Sequence, residues 1–251
     1  MNDSISRFSD RVANYVKYRP DYPREIVDHL KSERVMNDDS IIADVGSGPG
    51  ISSKIFLKNG NKVFGVEPNA AMREAATEYL QHFSNFISVD GNAHATTLSD
   101  GSIDLIVAAQ AFHWFDPNMA RNEFRRILSP NGQVVLIWNE RRLDADDFHR
   151  EYEALLLKYA NDYGSVRHEN IAEEQLRNFY VHDFSTLRFD NQQEFDFDGI
   201  KGRMLSSSYM PNTDSPRYGE LVKDLEAIFA KHERNGKIRV LYDTNVYHST
   251  V

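Results

Sequence analysis

The sequence predicts an α/β fold built on a doubly wound, mostly parallel sheet, and three observations carry that reading. Short, nearly uninterrupted apolar runs recur, at Ile41–Val45, Lys62–Val66, Phe86–Val89 and Ile103–Ala109; strands covered on both faces have this composition. Segments with helical apolar spacing separate most of these runs, and such alternation is the mark of right-handed crossovers in a parallel sheet. The first run stops at Gly46-Ser47-Gly48-Pro49-Gly50, where three glycines in five residues let the backbone turn sharply and lie against a ligand.

The elements follow in order. Ser4 to Tyr18 carries Phe8, Val12, Tyr15 and Val16 at spacings near four and reads as a helix closed by Arg19-Pro20. Pro23 opens a second helix with the face Ile26, Val27 and Leu30. Arg19, in a tight Arg-Pro turn, is badly placed for a core and well placed to clamp a carboxylate. After the glycine loop, Ile51 and Ile55 resume helical spacing, and Gly60 offers a stop. The second strand ends in Glu67, where a carboxylate at a strand's carboxyl end can accept hydrogen bonds from a ribose. Pro68 opens the next helix, with Met72, Ala75, Ala76 and Tyr79 on one face. The third strand gives way to Asp90-Gly91-Asn92-Ala93, a turn-like cluster. The fourth leads into Gln110-Ala111-Phe112-His113-Trp114-Phe115, an aromatic run with one imidazole. Ligands of open α/β sheets bind outside the carboxyl ends of the strands, which makes this run a candidate reactive centre.

A helix over Pro117 to Leu128, a turn at Ser129–Gly132 and a fifth strand over Gln133 to Trp138 come next, before Asn139-Glu140-Arg141-Arg142 leaves the sheet. From Leu143 the alternation breaks. Asp144 to Tyr163 and Ile171 to Phe179 read as helices of an insertion over the carboxyl edge, closing a substrate pocket. Asp144, Asp146 and Asp147 match no calcium-loop spacing and read as a solvated helix start, so no metal is expected. Phe184 to Phe189 and Glu194 to Phe197 alternate like strands, Tyr218 to His232 is a helix, and Lys237 to His248 is a closing strand drawn as a hairpin at one sheet edge. The chain is taken as a single domain over 1–251, with N-terminal helices at 1–35, a cofactor-binding core at 36–142, a substrate cap at 143–215 and a closing helix and strand at 216–251.

Composition narrows the chemistry. With 251 residues and a formal charge of −9, the surface is not built to neutralise phosphates, so a small-molecule substrate is expected rather than a nucleic acid. Zero cysteines removes disulfides, thiolate zinc sites and a cysteine nucleophile together. No apolar run approaches the roughly 18 residues of a membrane span, and Met1-Asn2-Asp3-Ser4 lacks a signal pattern; a cytoplasmic monomer or dimer is expected. The dinucleotide fingerprint would place its third glycine, or an alanine, at Ile51, which opposes a nicotinamide cofactor.

Asp44-Val45-Gly46-Ser47-Gly48-Pro49-Gly50, the acid at Glu67, the Gly91-Asn92-Ala93 turn and Phe112-His113-Trp114-Phe115 together resemble the class I S-adenosylmethionine-dependent methyltransferases. Tyr18–Pro23, Ala109–Phe115 and Leu205–Pro211 resemble stretches of the small-molecule branch that includes trans-aconitate methyltransferases. The resemblance spans nearly the whole chain. It implies a Rossmann-like sheet of seven strands, mostly parallel with an antiparallel last strand, and S-adenosyl-L-methionine as cofactor. It further implies that Gly46, Ser47 and Gly48, with Gly50, pass under the methionine and ribose, supported by Asp44. Glu67 takes the ribose hydroxyls, with Pro68 and Asn69 beside the adenine. Asn92 and Ala93 meet the adenine, and Ala109, Gln110, Arg19 and Tyr15 complete the cofactor set. Relatives usually carry Asp at the position of Asn92; Asn still offers an acceptor.

A sulfonium methyl is already activated, so the protein mainly has to hold a nucleophile in line with it. Aromatic faces of Tyr15, Phe112 or Trp114 suit the cationic sulfur. His113 is the candidate general base for a hydroxyl acceptor, and Arg19, Arg141 or Arg203 would orient a carboxylate. Trp114, Arg141, Arg203 and Tyr209 form the expected acceptor set. An NAD-type oxidoreductase and a cofactor-binding module without turnover stay open as alternatives.

Overall fold

The apolar runs become strands of one seven-stranded sheet with the order β3-β2-β1-β4-β5-β7-β6. In the computed structural model, residues 16–160, 173–180, 182–207 and 209–251 are described; Phe8, Val12, Tyr15 and Ser208 lie outside them. The strands are β1 Ile41–Val45, β2 Lys62–Val66, β3 Phe86–Val89, β4 Ile103–Ala109, β5 Leu128–Arg141, β6 Ser185–Phe195 and β7 Ile238–Ser249. The helices are α1 Glu25–Ser32, α2 Ser53–Asn59, α3 Ala70–Tyr79, α4 Pro117–Ile127, α5 Asp147–Tyr159, α6 Glu173–Tyr180, α7 Phe197–Leu205 and α8 Tyr218–His232.

The first five strands pair in parallel, in the register Ile41 to Lys62, Val63 to Phe86, Ile42 to Leu105 and Leu105 to Gln133. β7 runs the other way. Its Leu241 carbonyl accepts from Arg142 N–H at 2.9 Å and Thr244 donates to Asn139 at 2.5 Å, partners whose numbers fall on one strand as they rise on the other. The expected mostly parallel sheet with an antiparallel last strand is therefore present.

The chain divides into two compact units, and each has its own core. One comprises Asp21–Asn139, Asn170–Phe189 and Thr244–Val251. Its core joins Val45, Val66, Ile106, Phe124, Leu136, Phe179 and Tyr180, all shielded from solvent. Each such side chain contributes about 1.5–3 kcal/mol on burial. Two polar caps fix helix starts here: Asn69 accepts from Ala71 and Met72 N–H, and Asp116 accepts from Asn118 and Met119 N–H. The other unit comprises Met1–Pro20, Glu140–Glu169 and Asp190–Asp243, with a core of Phe148, Tyr152, Leu156, Ile200, Met204, Leu221, Leu225 and Tyr242.

Several expectations need correction. The turn at Ser129–Gly132 is part of β5, where pairing jumps from Ile103–Leu128 to Leu105–Gln133; the residues are absorbed as a register shift rather than a chain reversal. The two strands expected at Phe184–Phe189 and Glu194–Phe197 are one strand, β6. Its alternating exposure continues through Asn191, Gln192 and Gln193, and Phe197 instead starts α7, capped by Asp196 Oδ1 accepting from Gly199 N–H at 2.7 Å. β6 and β7 are neighbours but form no tight hairpin, since α7 and α8 lie between them in the chain. Asn235-Gly236, both with positive φ, turns α8 into β7. Among the described residues no helix is long and apolar enough to cross a membrane.

Candidate functional site

The glycine loop is set by its neighbours on each side. β1 delivers Asp44 into the interior, where it is wholly buried. Its Oδ2 accepts from Ser52 Oγ at 2.7 Å and from Ser53 Oγ at 2.6 Å, while Oδ1 is buried without a hydrogen-bond partner. Burial raises the carboxyl to about 6, and the two serine hydroxyls only partly offset this. The aspartate thus ties the start of the loop to the start of α2.

Gly46, Gly48 and Gly50 have φ of 71°, 53° and 85°, in the left-handed region that favours glycine. Their reasons differ. A Cβ on Gly46 would lie 2.7 Å from Ala111 Cβ, and one on Gly50 would lie 2.5 Å from Leu80 Cδ1, so both are required by packing. A Cβ on Gly48 would meet nothing within 4 Å. The loop is thus closely packed at both ends and opens beside Gly48.

Glu67 closes over that opening. Its Oε2 accepts from Gly48 N–H at 3.0 Å and its Oε1 from Asn69 N–H at 2.9 Å, while Arg73 donates to its backbone carbonyl at 2.9 Å. Burial raises the carboxyl above its ordinary value against these backbone donors. Each oxygen keeps acceptor capacity beyond the one backbone bond. Pro68 follows Glu67 directly, and Asn69 caps α3.

At the end of β3 the Asn92 side-chain oxygen accepts from His94 N–H at 2.9 Å and Ala95 N–H at 3.2 Å, and the Asn92 and Ala95 backbones exchange two further bonds. Asn92 Oδ1 therefore closes its own turn, beside the buried Ala93. At the end of β4, after the buried Ala109, Gln110 has φ of 54°, a conformation that costs a residue with a side chain about 1–2 kcal/mol. Its N–H donates to Ile137 at 2.9 Å, and its side-chain amide donates to the Asn139 carbonyl at 2.9 Å. Strain of this kind concentrates at functional positions. Phe112 then anchors a short 3₁₀ turn, Phe112–Trp114, by packing on Phe179 at 4.6 Å between ring centres. The anchor holds His113 4.8 Å from Trp114, ring to ring, and leaves Trp114 43% exposed.

Arg19, Arg141, Arg203 and Tyr209 belong to the other unit. Arg19 donates to the Ser206 carbonyl at 3.2 Å, and Gln193 donates to the Tyr18 carbonyl at 3.2 Å. Arg141 pairs with Glu153, with its guanidinium 5.2 Å from the centre of the Tyr152 ring. Arg203 Nε donates to Tyr242 Oη at 3.2 Å and Nη1 to Ser207 Oγ at 3.3 Å.

Residues 43–136 match the family model described as a methyltransferase domain. An uncharacterized methyltransferase-like protein of Schizosaccharomyces pombe is 32% identical over 186 residues, which is 74% of this chain and 70% of that protein. The chain belongs to the methyltransferase family. Other methyltransferase relatives align over about half of their own length. In fold, the methyltransferase is similar to a solved structure from Anaeromyxobacter dehalogenans proposed to be a type II methyltransferase, with TM-score 0.65, 21% identity and coverage of 93% of this chain and 98% of that one. It is also similar to phosphoethanolamine N-methyltransferase 2 of Haemonchus contortus, solved in complex with S-adenosyl-L-methionine, with TM-score 0.55, 14% identity and coverage of 100% and 57%. The doubly wound α/β sheet expected from the strand and helix pattern, and the Rossmann-like class implied by the resemblance, are thus established for this methyltransferase.

Asp44, Gly46, Ser47, Gly48, Gly50, Glu67, Pro68, Asn92, Ala93, Ala109, Gln110, His113 and Trp114 all fall within the unit that contains Asp21–Asn139. Sequence reasoning missed Ser52 and Ser53 as the partners of Asp44. It also missed Tyr242, Tyr152 and Glu153 around the two interior arginines. A signal existed for the serines, which lie one turn past the glycine loop at the start of α2. None existed for Tyr242, which is 39 residues from Arg203.

Proposed function

We propose that this methyltransferase uses S-adenosyl-L-methionine to methylate a small-molecule acceptor. The observation that supports this most is the loop opening at Gly48, where a left-handed glycine faces free space under a carboxylate held by two backbone N–H groups. When bound, the cofactor supplies a methyl group activated by an adjacent sulfonium.

The chain's own residues bind and orient. Glu67 offers its remaining lone pairs to the ribose hydroxyls, as charge-assisted bonds of about 1.5–3 kcal/mol each. Gly48 presents backbone without side-chain bulk, Gly46, Ser47 and Gly50 supply the adjoining loop backbone, and Asp44 holds the loop through Ser52 and Ser53. Pro68, Asn92 and Ala93 flank the adenine. Because Asn92 Oδ1 is committed to His94 and Ala95, its amide nitrogen and the Ala93 backbone are left for that contact. Ala109, the strained Gln110, Arg19 and Tyr15 serve the methionine end. His113 takes the proton of a hydroxyl acceptor, while Trp114, Arg141, Arg203 and Tyr209 select the acceptor, a task assigned to the substrate cap at 143–215 and its flanks.

The test is turnover. Methyl-labelled S-adenosyl-L-methionine incubated with the protein and a metabolite extract is expected to move label into a small molecule. Repeated failure with a protein that binds S-adenosylhomocysteine would overturn the assignment of catalysis and leave a binding module.

A further inference from the structure

Asn139, near the end of β5 and 8% exposed, joins three segments that are distant in the chain. Thr244 on β7, wholly buried, donates from Oγ1 to Asn139 Oδ1 at 2.5 Å. Asn139 Nδ2 donates to the Asp21 carbonyl at 3.3 Å, and the Asn139 backbone carbonyl accepts from Gln110 Nε2 at 2.9 Å. Asp21 is held in turn through its carboxylate, which Lys54 of α2 reaches at 3.3 Å, and Lys54 also donates to Tyr79 Oη at 2.5 Å. All of these residues belong to the unit that contains Asp21–Asn139.

The chemistry of the groups fixes the direction of each bond. A backbone carbonyl only accepts, so the Asn139 amide nitrogen must face Asp21 and its oxygen must face the Thr244 hydroxyl. By the same rule the Gln110 amide nitrogen must face the Asn139 carbonyl. Turning that amide over would set two acceptors against each other and lose the bond. Gln110 Oε1 is the end left over, and it accepts no hydrogen bond from the described residues. The backbone beneath is held as well, with a left-handed φ of 54° kept by the N–H bond to Ile137. Such a conformation persists only where the surroundings over-determine it.

We propose that Asn139 and Thr244 are positioning residues for the cofactor. They hold Gln110 in the one amide orientation whose oxygen accepts from the ammonium group at the methionine end of S-adenosyl-L-methionine. The inference rests on the reading of this chain as a user of that cofactor. A bare acceptor favours a cation and disfavours a carboxylate, and its bond to an ammonium is stronger than one to a neutral donor. Neither Asn139 nor Thr244 needs to touch the ligand; both act through Gln110.

The experiment is calorimetry on the full chain as wild type, Thr244→Val, Gln110→Met and the double variant. The probes are S-adenosylhomocysteine, its analogue with hydrogen in place of the amino group, and 5′-methylthioadenosine, which lacks the whole amino-acid end. Thr244→Val keeps the shape and removes the hydroxyl. It is expected to weaken S-adenosylhomocysteine at least fivefold and to change the other two by less than twofold. Gln110→Met is expected to weaken S-adenosylhomocysteine at least tenfold, and adding Thr244→Val to it costs less than a further twofold, because both act at one oxygen. Thr244→Ser, which keeps the donor, stays within twofold of wild type. Asn139→Asp keeps the acceptor for Thr244 and loses the donor to Asp21; it gives the same pattern and replaces Thr244→Val should that variant not fold. Equal weakening of all three ligands by Thr244→Val, independent losses in the double variant, or unchanged S-adenosylhomocysteine binding overturns the positioning role and leaves the cofactor reading standing. A wild type that binds none of the three overturns that reading and the positioning role with it.

Discussion

Replacing Gly48 by alanine is expected to abolish cofactor binding while the fold survives. The added Cβ meets nothing within 4 Å, so the cost to the free protein is the left-handed φ of 53° alone. That cost is about 1–2 kcal/mol for a residue with a side chain, which lowers Tm by roughly 2–8 °C in a chain of this size. Gly46→Ala is the control. It shares the positive φ but drives its Cβ to 2.7 Å from Ala111 Cβ, adding an overpacking cost of about 1–3 kcal/mol. Differential scanning fluorimetry should therefore rank wild type above Gly48→Ala, and Gly48→Ala above Gly46→Ala. Calorimetry with S-adenosylhomocysteine should show binding lost by at least about a hundredfold in Gly48→Ala, some 2.7 kcal/mol. Binding within threefold of wild type would refute the claim that the space beside Gly48 is where the ligand lies.

Asp44 carries a second prediction. Burial raises its carboxyl to about 6, so the stability linked to its protonated form is fully present below about pH 4 and is lost as pH rises through 6. The full difference is about 3 kcal/mol at neutral pH. Asp44→Asn should therefore gain stability relative to wild type between pH 4 and pH 7 in urea titrations, and a constant difference across that range would contradict the burial argument. A third concerns Gly202, where a Cβ would lie 2.1 Å from Tyr18 Cε2. Gly202→Ala should cost about 1–3 kcal/mol in the native background and much less beside Tyr18→Ala; equal costs in a double-mutant cycle would show that the ring does not rest on α7.

Legibility followed the range of the interactions. β1, the glycine loop, β2 and Glu67 were readable because apolar runs, left-handed glycines and a terminal acid act within a few residues. β5 was less so, since the register shift at Ser129–Gly132 depends on pairing with Ile103 and Leu105. α7 was hidden by Gly199 and Gly202, poor helix residues, the second of which serves the Tyr18 ring. Asn92 was correctly located in a turn, but no spacing reveals that its oxygen is spent on His94 and Ala95. Charged residues read as solvated by default, so the burial of Arg141 and Arg203 was invisible. It depends on Glu153 and Tyr242, 12 and 39 residues away.

The most direct test of the central claim is calorimetric titration of the wild-type chain and Glu67→Ala with S-adenosylhomocysteine. One molecule bound per chain by wild type, weakened at least about thirtyfold in Glu67→Ala through loss of a charge-assisted ribose bond of about 2 kcal/mol or more, is the expected result. No heat with wild type, or equal affinity in the variant, would contradict it.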